Sequence, residues 1–258
     1  MLPALFLSHG SPMLALTESP ARDFLRGLGK TLERPAAILV ASAHWETAVP
    51  AFNHVARNAT IHDFYGFAPA LYALRYEPPG APALVDRAIG LLDAAGLASA
   101  VDPRRGLDHG AWVPLSLMYP DADIPVAQVG LQFDLGPAHH LRLGRALAAL
   151  RAENVLVIGS GSFTHNLSRL GREAVDGPQP ADVVAFGDWF DAAIREGREA
   201  DLLAYRSLAP FAEQQHPTDE HLLPLYVALG AGGAGVRGER LHSSAMYSSL
   251  RMDAYAFG

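Results

Sequence analysis

The sequence contains no cysteine, which excludes disulfides, thiolate zinc sites, iron–sulfur clusters and cysteine nucleophiles together. Any metal must therefore sit on His, Asp or Glu. Apolar runs near the roughly 20 residues that cross a bilayer are also lacking. The opening stretch from Met1 to His9, MLPALFLSH, has neither the basic start nor the small-residue cleavage site of a signal peptide. A soluble, cytoplasmic protein is the expectation. Clusters of Lys and Arg are missing too: the net charge of −7 is spread along the chain, so nothing is available to neutralise a run of phosphates, and no nucleic-acid or membrane partner is expected. Oligomeric state leaves no signature.

What is present is enough apolar material for a sizeable core, with half of the 258 residues hydrophobic. Apolar runs of strand length at Ala4–Leu7, Ala37–Ala41, Pro125–Val129 and Val155–Ile158 alternate with helical spacing at Pro20–Leu32, Pro82–Ala95 and Ala138–Leu150. This alternation predicts an α/β fold: a single domain over residues 1–258 with a central, mainly parallel sheet flanked by helices. The last third reads as helices over Asp182–Glu196, Ala200–Leu208 and Asp219–Leu229. Thr218 caps the third of these, Gly230–Gly235 closes it, and a β-like tail runs from Ser243 to Phe257.

The informative feature is where histidines fall. In open α/β sheets the loops at strand carboxyl ends form the ligand crevice. His9 follows the first apolar strand, His44 the second, and His165 comes shortly after the strand near Gly159. His221 is expected in the first turn of its helix, where the dipole disfavours protonation and keeps the imidazole able to ligate metal. His109 sits in a glycine-containing loop, Asp108-His109-Gly110-Ala111-Trp112. A lone histidine after a strand is usually a hydrogen-bonded structural group. Strand-end placement repeated at separate elements points instead to one shared metal site. Of the remaining histidines, His62 and His216 are expected to line the pocket.

Other motifs fit less well. Gly159-Ser160-Gly161-Ser162 lacks the lysine of a P-loop and the spacing of a dinucleotide fingerprint; its expected role is to let backbone pass close to a pocket. No serine sits in a nucleophile elbow. A zinc hydrolase with Glu46 or Glu220 as base, and a non-catalytic metal-binding protein, remain as alternatives.

Several blocks in order resemble one family. They are Leu7-Ser8-His9-Gly10-Ser11-Pro12-Met13, Ser42-Ala43-His44-Trp45, Ile61-His62-Asp63-Phe64-Tyr65-Gly66-Phe67, Asp108-His109-Gly110-Ala111-Trp112, Thr164-His165-Asn166-Leu167 and Pro217-Thr218-Asp219-Glu220-His221. Together they resemble the LigB-type class III extradiol ring-cleavage dioxygenases, in particular the 4,5-DOPA dioxygenase subgroup. The resemblance implies a non-haem metal on His9, His44 and His221, a catechol-type substrate and O₂. It makes His165 the acid/base beside the metal, with a fourth-ligand role open to it, and His109 a second catalytic histidine lining the pocket. His62, Trp45 and Trp112 are the expected substrate-binding side chains, although any one of the aromatics taken alone reads first as core. One departure matters: the wider family completes its triad with Glu, whereas His221 stands here beside Glu220, which is the fallback ligand. A neutral three-histidine site suits Zn²⁺ as well as Fe²⁺, so Fe²⁺ is expected for activity and Zn²⁺ as a metal bound on purification.

Overall fold

Leu5 and Leu7 turn to one side of the first strand and Ala4 and Phe6 to the other, and all four are fully buried. A strand apolar on both faces must lie between two layers. In the computed structural model, which describes residues 1–170 and 177–258, this strand is β1 (Ala4–Ser8). The others are β2 (Ala37–Glu46), β3 (Ala51–Asn53), β4 (Ala100–Asp102), β5 (Val126–Leu131), β6 (Val155–Gly161), β7 (Gly238–His242), β8 (Ala245–Met246), β9 (Leu250–Arg251) and β10 (Ala254–Phe257). Eight of them form one sheet in the order β4-β3-β5-β2-β6-β1-β10-β7, and β8 pairs with β9 apart from it. The central strands β5, β2, β6 and β1 are mutually parallel, as the sequence predicts. Antiparallel pairs, β3 on β5 and β10 on β1, flank that centre.

The helices are α1 (Pro20–Thr31), α2 (Pro69–Tyr72), α3 (Pro82–Ala94), α4 (His109–Met118), α5 (Gly136–Leu147), α6 (Ala181–Glu196), α7 (Glu199–Leu203), α8 (Tyr205–Leu208), α9 (Ala212–Gln215) and α10 (Leu223–Gly232). Leu25 and Leu28 of α1 and Trp112 and Leu115 of α4 pack on the sheet face carrying Leu5, Leu7, Ile38 and Val40. Leu84 of α3, Leu141 of α5, Phe186 of α6 and Leu225 of α10 cover the face carrying Phe6, Leu39 and Val157. Each fully buried Leu or Phe contributes about 1.5–3 kcal/mol relative to exposure, so these two layers dominate the stability. No helix among the described residues is long and apolar enough to cross a membrane.

Three expectations are corrected. The helix expected from Asp219 with a Thr218 cap starts only at Leu223 and runs into the glycine stretch as far as Gly232. Pro224 explains the start, since proline fits the first turn of a helix and clashes with the carbonyl four residues back anywhere deeper. The stretch Ala200–Leu208 is two short helices, α7 and α8. His109 lies not in a loop but at the first position of α4, a helix the apolar pattern hid because it is buried on nearly every side.

Candidate metal centre and active site

The sheet register brings the first two histidines together. Ser160 of β6 lies level with Leu7 of β1 on one side and with Ser42 of β2 on the other. His9 and His44 each stand two residues further on, so they rise on either side of Ser160 at the carboxyl ends of the strands. His221 arrives from the segment before α10, and the glycines of β6 let it in. A methyl at Gly161 would run into the His221 carbonyl, and one at Gly159 into the Pro224 carbonyl. The Ser162 amide donates to the His221 carbonyl at 2.8 Å, so the reading of this Gly/Ser run as a close-approach device holds.

The side chains converge. His44 Nε2 lies 3.0 Å from His9 Nε2 and 3.3 Å from His221 Nε2, and the three nitrogens lie within 4.8 Å of one another. Two of their far nitrogens are hydrogen-bonded and the third faces a carboxylate. His9 Nδ1 donates to Ser160 Oγ at 3.0 Å, because that hydroxyl spends its own proton on the Gly110 carbonyl. Gly110 needs this partner, since the residue four positions on in α4 is Pro114, which has no N–H. His221 Nδ1 donates to Glu220 Oε1 at 3.1 Å. His44 Nδ1 faces Asp63 Oδ2 at 3.6 Å. Protons on the outer nitrogens leave bare Nε2 lone pairs pointing at one another. Such an arrangement is repulsive unless a cation lies between them, so the donor set fits a divalent metal.

Burial pushes His9 and His221 well below the ordinary imidazole value, with neighbouring histidines adding to the effect. It drives His44 down to about 3, despite the nearby Asp63 charge. All are neutral at pH 7, the form that ligates metal. Desolvation, rather than the helix dipole expected for His221, is the main cause.

Beside this cluster is a cavity of about 240 Å³, walled by Phe64, Phe67, Leu167 and Leu250, with His109 and His165 at its polar end. The His165 ring stacks on His221 with centroids 3.4 Å apart and planes 11° from parallel. Burial lowers its pKa, opposed by Glu220, whose Oε1 lies 3.9 Å from Nδ1. His109 is held by Asp63, with Oδ1 accepting its backbone N–H and Oδ2 its Nδ1–H, both at 2.9 Å. Burial alone would raise the Asp63 carboxyl, yet its hydrogen bonds and charge contact with His109 bring it down to about 2.

The expected substrate-binding side chains are placed behind the cavity wall rather than on it. Trp112 is buried with Nε1 on the Ile61 carbonyl at 2.9 Å. Trp45 lies under the Arg105 guanidinium at 5.0 Å. His62 bonds the Leu74 carbonyl at 3.2 Å and meets Phe64 edge-on. His216 is fully buried on the Phe163 carbonyl, away from the wall. Glu220 is turned to the outer nitrogen of His221, and Glu46 lines a separate depression with Thr47 and Gln132.

Three residues escaped the sequence reading. They are Ser160 and Asp63, described above, and Asp108. Asp108 is fully buried and caps α4 through the Ala111 amide; it also accepts from Ser42 Oγ at 2.7 Å and from Arg105 at 3.0 Å. It thereby ties the start of α4 to the end of β2. Only its place before an apolar run, as a helix N-cap, could have flagged it.

A sheet that gathers neutral imidazoles at its strand ends, beside an apolar cavity, is the architecture of a mononuclear metalloenzyme. The chain belongs to the family of the catalytic LigB subunit of aromatic ring-opening dioxygenase, whose model matches residues 3–258. It is an extradiol ring-cleaving oxidoreductase, dependent on a non-haem metal and acting on an aromatic substrate with O₂. Relatives named 4,5-DOPA dioxygenase extradiol come from Beta vulgaris, 44% identical over 98% of this chain and 95% of that one, and from Escherichia coli K12, 39% identical over 89% and 85%. The crystal structure of an uncharacterized protein of Escherichia coli K12, JW3007, superposes with a TM-score of 0.83 at 33% identity, covering both chains fully.

Proposed function

We propose that this enzyme opens the ring of a DOPA-like catechol, with Fe²⁺ held by His9, His44 and His221. The observation that carries the reading is the meeting of three bare Nε2 atoms, within 4.8 Å of one another, at the polar end of an apolar cavity. Ferrous ion bound there would supply open coordination positions for both catechol oxygens and for O₂, together with a path for electrons between them.

The chain's own residues do the rest. A cavity of about 240 Å³ falls below the roughly 300–1,000 Å³ of sites for drug-sized ligands, which suits a single ring. Phe64, Phe67, Leu167 and Leu250 flank that ring and keep water from its edge. Catechol must lose a hydroxyl proton, and ring opening later needs a proton returned to oxygen. His165 is neutral, half shielded and close to the Glu220 carboxylate, so it accepts the first proton and holds it for return. Once protonated, His109 donates from Nε2 to negative charge developing on substrate oxygen, with Asp63 balancing its charge. The same neutral imidazoles accept Zn²⁺, which is expected as a metal carried through purification.

The test is O₂ uptake and yellow product after anaerobic loading with Fe²⁺, followed by DOPA, caffeate or catechol and air. Uptake with at least one of these is expected, and none with any would end the reading. His165→Ala should keep the metal and lose turnover.

A further inference from the structure

We propose that Asp63 is a positioning residue that holds His109 in a single tautomer, its proton on Nδ1 and the Nε2 lone pair turned toward the ring-binding cavity. The inference rests on the reading of that cavity as the catechol site. One carboxylate grips His109 twice, at the backbone N–H and at Nδ1, each at 2.9 Å. The backbone N–H is among the donors that the first turn of a helix leaves without an internal partner, so Asp63 fixes where α4 begins as well as how its first side chain points. A carboxylate carries no proton to give, hence Nδ1 must hold the hydrogen and Nε2 must be bare in the neutral ring. Flipping the ring would break the Nδ1 bond and leave a carboxylate facing carbon.

The same Oδ2 atom also faces His44 Nδ1 at 3.6 Å. A single oxygen thus stands behind a metal-site imidazole and a substrate-side imidazole, and biases both to present Nε2 inward. The consequence for the reaction is definite. A neutral His109 in this tautomer cannot donate to a substrate oxygen. It can accept: the substrate O–H breaks, N–H forms on Nε2, the electron pair stays on oxygen, and Asp63 balances the imidazolium charge. Donation follows only after that step. His109 therefore offers a second proton acceptor beside His165.

Asp63→Asn tests this with nearly unchanged shape. The amide keeps one acceptor oxygen but places an NH₂ donor against either the backbone N–H or Nδ1, and against Nδ1 it forces the proton to Nε2. The direct readout is a long-range ¹H–¹⁵N spectrum of the zinc-loaded, histidine-labelled protein, with the His109 signals assigned by their loss in His109→Gln. The wild type is expected to show the Nδ1–H tautomer, and Asp63→Asn to lose or mix it. With Fe²⁺ at saturation, so that any weakening of the metal site through His44 is offset, kcat should fall roughly ten- to a hundredfold, the range for removing a partner that orients a site histidine, while KM stays within about twofold of wild type on the same argument. An Nε2–H tautomer in the wild type, or an unchanged kcat in Asp63→Asn, overturns the proposal. The wild-type spectrum decides even where the variant folds poorly. A wild type that opens no catechol overturns the functional reading instead, and the tautomer is still read independently of turnover.

Discussion

Replacing Ser160 by alanine removes one hydroxyl and strands two partners. The His9 Nδ1–H loses its acceptor at 3.0 Å, and the Gly110 carbonyl, which Pro114 cannot serve, loses the Ser160 hydroxyl. Ser160 is fully buried, so water does not readily take its place. Each stranded group costs about 1–3 kcal/mol, giving a combined loss of about 2–6 kcal/mol in the metal-free protein. A second cost falls on the metal. With its acceptor gone, His9 can put its proton on Nε2, so part of the binding energy goes into returning it to Nδ1. Removing such orienting bonds typically lowers metal affinity roughly ten- to a hundredfold, which is about 1.4–2.7 kcal/mol. The assays are urea unfolding of the metal-free protein and zinc titration against a chromogenic chelator. Ser162→Ala is the control: it is equally buried just past the end of the same strand, but its hydroxyl donates to the Thr164 carbonyl at 2.7 Å and touches no site histidine. It should lose stability and keep zinc affinity. If Ser160→Ala binds zinc within about twofold of wild type with an unchanged urea midpoint, the tautomer argument for His9 is wrong.

Gly110→Ala should damage the same corner by crowding rather than by loss, because its methyl would overlap Ser42 Oγ and lie 3.1 Å from His44 Cδ2 and 3.2 Å from His9 Cε1. A destabilisation of about 1–3 kcal/mol together with sub-stoichiometric zinc is expected from thermal melts and metal analysis; full zinc occupancy would contradict the packing. His140 sets a pH dependence away from the metal: it is fully buried, its Nδ1 donates to the Gly136 carbonyl and its Nε2 accepts the Gln132 amide, and burial lowers its pKa to about 4. Its folded pKa lies below the unfolded value near 6.5, so this contribution is fully present above about pH 6.5 and is lost as pH falls toward 4, by about 3 kcal/mol at most. Urea midpoints across that window should decline in wild type and flatten in His140→Gln, and parallel curves would refute the assignment.

How much of this was legible follows from the range of each interaction. The central strands were readable because they are apolar on both faces, and the histidines because a strand's end marks its crevice. Helix α4 was not, since Trp112, Val113, Leu115 and Leu117 bury every side of it and leave no amphipathic period to detect. The start of α10 was readable in principle from Pro224, but acidic residues after Thr218 imitated a capped first turn. The partners that set the tautomers lie beyond any local pattern: Asp63 is 46 positions from His109, and Ser160 is 151 from His9. Sheet register makes Ser160 and His9 neighbours, and the bridge between Thr60 and Leu107 brings Asp63 to His109. Trp45 and Trp112, which look like ring-stacking residues in the sequence, sit behind the wall, because large apolar rings next to strand ends serve the core as readily as a pocket.

Strand β6 shows why the site cannot be separated from the sheet. Successive side chains on a strand point to opposite faces, and from Gly159 to Ser162 this chain alternates glycine with serine. The glycines fall on the α10 side, where a single methyl would collide with the carbonyls of Pro224 and His221. Ser160 falls on the α4 side, where its hydroxyl joins His9 to the Gly110 carbonyl. One face thus admits the backbone that carries His221, and the other orients the imidazole of His9. Shifting the strand by one residue would exchange the faces, put hydroxymethyl groups against α10 and leave His9 facing bare backbone. The metal site therefore depends on register before it depends on ligands: the histidines can all be present in sequence and still fail to meet if this alternation is lost.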